Sequence, residues 1–124
     1  MFVVNDDFSI FLTRGDIAVL QISADKSEEE QYIFTRGDVL RLRVFEKKKP
    51  DVVVLQKDVV VDGEVSLVDI FLSKEDTKIG ELISKPTDYW YEVELNPDTM
   101  PQTIIGYDED GPKIFRLFPE GADQ

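Results

Sequence analysis

Apolar and polar residues alternate along much of this chain, in short runs. In "VLRLRV" Leu40, Leu42 and Val44 fall on one side of an extended strand, with Arg41 and Arg43 on the other. In "YWYEVEL" Tyr91, Val93 and Leu95 share a side, opposite Glu92 and Glu94. A period of two marks a strand with one face buried and one face wet. The runs "IAVLQI", "VLRLRVF", "VVVLQ", "VSLVDIFL", "YWYEVEL", "QTIIGY" and "KIFRLF" are rich in β-branched and aromatic residues and end at turn residues. Their regular spacing suggests an all-β sandwich or small barrel, and the reading adopted is an antiparallel β-sandwich of about seven strands.

The connections fit that class. "ADKSEEEQ" (24–31) reads as a charged loop, and "EKKKPD" (46–51) as a turn whose lysines and proline also suit a sheet edge. Asp62-Gly63 is the dipeptide of a tight hairpin. "LNPDTMP" (95–101) and "YDEDGP" (107–112) read as further hairpin loops. "LSKEDTKIGELIS" differs, because Ser73 stands three residues before Asp76, and Glu75 and Asp76 face the positive end of a helix dipole. One short helical connection is expected there, over about 74–84, kept short by Gly80 and Pro86. No linker interrupts the pattern, so residues 1–124 read as a single domain.

One tetrapeptide occurs twice, as Thr13-Arg14-Gly15-Asp16 and Thr35-Arg36-Gly37-Asp38. Arg-Gly-Asp invites an adhesion-ligand reading, which needs a protruding, mobile loop. Here each copy runs directly into an alternating strand. No third copy follows, whereas repeat architectures need about three or more units to bury a core. Two strand-entry turns of similar chemistry are expected, with glycine supplying the unusual backbone angle and aspartate bonding nearby N–H groups.

Composition narrows the chemistry. A 124-residue chain with 42% hydrophobic residues can bury a real core. Its formal net charge of -12 repels phosphate, which argues against nucleic acid and anionic membranes as partners. No apolar run approaches a membrane span, so no membrane insertion is expected. "MFVVNDDFSIFL" does not read as a signal peptide, and folding in a cytoplasm is the expectation. Cysteine and histidine are both absent, which removes disulfides, Cys/His zinc sites, thiol nucleophiles and Ser-His-Asp triads.

What remains is carboxylate, lysine or tyrosine chemistry. The acidic run Ser27-Glu28-Glu29-Glu30 reads as a solvated loop, and Asp108-Glu109-Asp110-Gly111 lacks the spacing and distal glutamate of a calcium loop. No catalytic, metal or cofactor residue is therefore assigned, and an enzyme is not expected. In "Tyr89-Trp90-Tyr91" the tyrosines point one way and Trp90 the other, so the three cannot form one flat sugar platform. Trp90, with Arg41 and Arg43 on a wet strand face, is the candidate interface.

The order of these segments resembles a family of small prophage proteins of Gram-positive bacteria, related to the N-terminal domain of the phage baseplate upper protein. "FLTRGDIAVLQI" (11–22) is similar to the family's opening strand, "TRGDVLRLRVFEKK" (35–48) to its second and "VLQKDV" (54–59) to its third. "FLSKEDT" (71–77) resembles its Pro-Glu-Asp-Thr segment, with Ser73 in place of proline. "DYWYEVEL" (88–95) and "PQTIIGYDEDGPKIFRLFPE" (101–120) resemble its Tyr-Asp-Val strand and closing hairpin. The resemblance implies an immunoglobulin-like sandwich acting as a non-catalytic structural piece of a phage tail or baseplate. It implies other tail or baseplate proteins as partners, no cofactor, and a place in the virion tail after cytoplasmic assembly. Homo-oligomerisation is left open. The alternative is a carbohydrate- or surface-binding β-sandwich module of an adhesin.

Overall fold

The structure, a computed structural model, describes residues 1–80 and 84–120. Nine strands follow in order: β1 (Phe2–Val4), β2 (Ile10–Thr13), β3 (Ala18–Ile22), β4 (Val39–Glu46), β5 (Val53–Val60), β6 (Val68–Leu72), β7 (Thr87–Leu95), β8 (Gln102–Ile105) and β9 (Lys113–Phe118). The large sheet has the order β1-β2-β9-β7-β4-β5, with β8 also pairing β7, and β3 and β6 form a separate two-stranded sheet. In immunoglobulin terms β3 and β6 take the places of strands B and E, and β4, β5, β7 and β9 those of C, C′, F and G. The all-β sandwich expected from the sequence is what the chain forms.

The alternating pattern explains which face goes inward. Leu40, Leu42 and Val44 of β4, Tyr91, Val93 and Leu95 of β7, and Phe115 and Leu117 of β9 are all buried. Leu20 and Ile22 of β3 and Val68, Ile70 and Leu72 of β6 are buried as well, completing one core between the two sheets. Each such side chain contributes about 1.5–3 kcal/mol by leaving water.

Several expectations need correction. Pairing is not purely antiparallel, because β2 runs parallel to β9 with Leu12 opposite Leu117. Nine strands form rather than about seven, since β1 and β2 stand apart from the long runs. Asp62-Gly63 is not a tight hairpin, because β5 and β6 belong to different sheets and residues 61–67 cross between them. Nor are β8 and β9 a simple hairpin, since both pair with β7.

The helical connection is also absent among the described residues; residues 81–83 of that segment lie outside them. The capping chemistry is present all the same. The Ser73 N–H bonds Asp76 Oδ2 at 2.9 Å, and the Asp76 N–H bonds Ser73 Oγ at 3.1 Å. One turn forms, with the Thr77 N–H on the Ser73 carbonyl. Propagation then stops, because Gly80 takes φ +67° and Arg14 claims the carbonyls of Ile79 and Gly80.

Candidate functional site: the outer face of the large sheet

The two Thr-Arg-Gly-Asp copies fold alike. Asp16 N–H bonds the Thr13 carbonyl and Asp38 N–H the Thr35 carbonyl, each at 3.0 Å. Gly15 and Gly37 take φ +88° and +96°, the positive angle that a type II turn requires at that place. Their side chains do different work. Arg14 donates to the carbonyls of Ile79 (3.2 Å) and Gly80 (2.8 Å) and to Glu120 (2.5 Å). Thr77, fully buried, accepts the Gly15 N–H at 3.0 Å and donates to the Asp16 carbonyl at 2.7 Å. In the second copy Arg36 is exposed, and Asp38 is the anchor. Asp38 accepts from Tyr32 Oη (2.8 Å), Thr35 N–H (3.0 Å) and Asn96 Nδ2 (3.1 Å). Burial alone would raise its pKa. The three donors outweigh burial and hold it below the usual carboxylate value. Both copies are pinned turns rather than mobile loops.

The residues singled out for an interface come together on one surface. Along β4 the outward positions are Arg41, Arg43 and Phe45, and across β7 they face Glu94, Glu92 and Trp90. Trp90 in turn faces Ile114 of β9, and Phe45 faces Val53 of β5. An apolar row, Val53–Phe45–Trp90–Ile114, therefore crosses four strands. Tyr91 is buried on the opposite face with its ring edge-to-face against Phe115, and Tyr89 packs on the core, so Trp90 alone of the aromatic triplet looks outward.

Charged rows flank the apolar one. On one side Asp88 holds Arg116 through two bonds of 2.6 and 3.1 Å, and the Arg116 guanidinium lies 5.2 Å from the Phe11 ring centre. On the other side Arg41 bridges Asp58 (2.9 and 3.0 Å) and Asp98 (3.2 and 3.0 Å), tying β4 to its neighbours. Arg41 is thus committed within the chain. Arg43 is not: its Nε is buried without a hydrogen-bond partner. Glu92, across the strand pair from Arg43, has its pKa raised by burial first and then by the neighbouring Glu94 charge, with Arg43 opposing. Arg41, Arg43 and Arg116 stand among Asp58, Asp88, Glu92, Glu94 and Asp98, three cations against five acids, so most of the negative charge on this face is paired.

Other candidates are accounted for locally. Asp108 gives its carboxylate to Lys113 Nζ at 2.7 Å and to the Asp110 N–H at 2.9 Å, which closes the turn. Among the described residues no group of three or more acids is placed to hold a metal ion. Asp62 and Gly63 lie on the crossing between sheets. Among the described residues no helix is long and apolar enough to cross a membrane.

Phe45 was legible as the next outward position after Arg43. Val53 and Ile114 were not, because strand register decides which residues neighbour Trp90. Comparison with known proteins adds no relative: no protein-family model, no curated protein and no solved structure matches the chain.

Proposed function

We propose that the chain is a non-catalytic structural component of a phage or prophage tail or baseplate, docking on other tail proteins through the outer face of its large sheet. The observation that carries the docking reading is the row Val53–Phe45–Trp90–Ile114 between two charged rows, beside an arginine whose buried Nε has no partner. Interfaces favour this composition: an aromatic anchor at the centre, arginine beside it and a polar rim. The tail or baseplate setting is supported by the order of sequence motifs, and fold does not fix function. Assembly in the bacterial cytoplasm and residence in the virion tail belong to the same proposal.

Glu92 and Glu94 are neighbours on the outward side of one strand, facing Arg43 and Arg41 of β4, rather than acids on opposite walls of a cleft. A sugar platform on Trp90 would need a second coplanar ring. The aromatic pairs found among the described residues are steeply inclined, at 65°, 80° and 70°, and none includes Trp90.

The test is co-expression with the products of the neighbouring reading frames. The wild-type chain is expected to co-purify with a tail or baseplate protein. Trp90→Ala is expected to lose that partner while keeping a melting temperature within a few degrees of wild type. Neighbouring genes without tail functions, or a Trp90→Ala chain that still binds, would sink the proposal.

A further inference from the structure

The small sheet is unfinished on one side. Among the described residues β3 pairs only with β6, and β8 only with β7, so each keeps one edge without a strand partner. Between these edges runs a groove. One hollow of about 590 Å³ and a second of about 270 Å³ share Phe8, Gln21, Ile22 and Ile105 in their walls. Buried core residues Leu20, Ile22, Tyr91 and Leu95 form its floor, so the groove opens onto the sandwich interior. In an immunoglobulin-type sandwich a strand ahead of B covers this edge. Here β1 and β2 join the large sheet instead.

Phe8 marks the same place. Its φ is +67°, a genuine outlier for a bulky residue, and its ring is 49% exposed. The conformation is enforced by its N–H on the Asn5 carbonyl and by the Tyr91 hydroxyl, which donates to the Phe8 carbonyl. Strain of this kind persists only where the surroundings impose it, and it clusters at functional sites.

We propose that the groove between β3 and β8 accepts one extended strand donated by a partner protein, with alternating apolar side chains and basic flanks. Three features select that occupant. A free strand edge recognises peptide backbone, and alternate side chains of the guest then drop into the hollows. The β3 edge, Ala18–Ile22, offers five residues, so a guest strand pairs over about five residues at ~3.3 Å each. Asp25 lines the groove and is exposed, Asp7 is exposed beside Phe8 in the chain, and Lys26, also in the wall, is paired with Glu30 at 3.5 Å, so the net charge of -12 leaves the surroundings acidic. A second copy brings its own charge of -12 to the groove, so like charges disfavour self-docking. The site is separate from the Trp90 face, and neither proposal depends on the other.

The probe is a synthetic peptide of alternating valine and threonine flanked by lysines. Three comparators are used: a glutamate-flanked version, a version N-methylated at alternate amides, and the protein variant Ser23→Trp, which fills the groove from an exposed position. Amide hydrogen exchange is read with and without peptide. The lysine-flanked peptide is expected to slow exchange at least about tenfold in β3 and β8 and not in β5. Both altered peptides and Ser23→Trp are expected to lose that protection. The proposal is overturned if millimolar lysine-flanked peptide leaves β3 unprotected, if N-methylated peptide protects equally, or if Ser23→Trp changes nothing. It is also overturned if ultracentrifugation shows the chain alone dimerising in a way that protects β3, because a second copy is then the occupant.

Discussion

The duplicated tetrapeptide offers a double dissociation. Asp38 is only 9% exposed and accepts three hydrogen bonds, from Tyr32, Thr35 and Asn96. Removing it in Asp38→Ala leaves those donors facing a cavity. Hydrogen bonds to a charged acceptor contribute about 1.5–3 kcal/mol each, but they share one carboxylate and do not add, so the expected loss is about 3–4 kcal/mol. The equivalent Asp16 meets only the exposed amino terminus of Met1, and Asp16→Ala is expected to cost under about 1 kcal/mol. The arginines reverse the order. Arg14→Ala orphans the carbonyls of Ile79 and Gly80 and frees Glu120, for about 1.5–3 kcal/mol. Arg36→Ala touches an exposed side chain and is expected to stay within about 0.5 kcal/mol. Urea unfolding with linear extrapolation reads all four at constant m-value. Equal costs for Asp16→Ala and Asp38→Ala, or for Arg14→Ala and Arg36→Ala, would refute the assignment of roles.

Three further outcomes follow from the same geometry. Glu92 has a folded-state pKa raised above 4.5 by burial and by Glu94, so at pH 7 its charge opposes folding. Glu92→Gln is expected to raise the melting temperature at pH 7, with the gain vanishing below about pH 4, where the unfolded glutamate is also neutral. Asp38, Asp76 and Asp88 have pKa values below 3.8, so their stabilisation is full above that value and is lost as pH falls through the lowered ones. The urea midpoint of wild type should therefore drop steeply below about pH 3.8, and the drop should be shallower in Asp38→Ala. Tyr91→Phe removes the hydroxyl that holds the Phe8 carbonyl. About 1 kcal/mol of stability should go, with hydrogen exchange faster at residues 5–9 than in β4; uniform exchange would contradict the strut role.

How far the sequence reached depended on whether a feature was local or needed register. The inward sets Leu40, Leu42, Val44 and Tyr91, Val93, Leu95 were readable because period two is a property of each strand alone. The turn at Thr13–Asp16 and Thr35–Asp38 was readable because glycine at the third place answers a local angle. That identical tetrapeptides use different side chains was not readable, since the partners Ile79, Gly80, Asn96 and Tyr32 come from elsewhere in the chain. The crossing at Asp62-Gly63 was misread for a similar reason: the dipeptide permits a hairpin, but only pairing decides whether β5 and β6 share a sheet. Ser73 and Asp76 formed their reciprocal cap, yet the turn ended at Gly80, which takes a positive φ and whose carbonyl, with that of Ile79, is bound by Arg14 from a distant part of the chain. At the interface, alternation put Trp90, Arg41 and Arg43 on the outward sides of their own strands, and the β4–β7 pairing made those sides one face. Which of the two arginines was already committed depended on Asp58 and Asp98, which alternation does not reveal.

The two proposed docking surfaces differ in how their charges are arranged, and salt separates them. On the outer sheet face the arginines Arg41 and Arg116 lie 2.6–3.2 Å from their carboxylates, so their fields largely cancel a few ångströms out. At the β3–β8 groove Asp25 stands exposed in the wall, Asp7 is exposed beside Phe8 in the chain, and the net charge of -12 reinforces them. Screening shortens from about 10 Å at 0.1 M salt to about 3 Å at 1 M, which removes most of an attraction between exposed charges. A basic-flanked strand in the groove should therefore weaken by about tenfold or more between 0.05 and 0.5 M sodium chloride, mainly through its association rate. A partner on the Trp90 row should change by less than about threefold, because apolar burial drives it and Arg41 and Arg116 are paired within the chain, which leaves Arg43 to add a single charge contact. Surface plasmon resonance at a series of salt concentrations reads both constants. A lysine-flanked strand whose affinity ignores salt would mean that the acidic surroundings do not select it. A Trp90-dependent partner that dissociates as salt rises would mean that its contacts are ionic, leaving Arg43 rather than the aromatic row as the anchor.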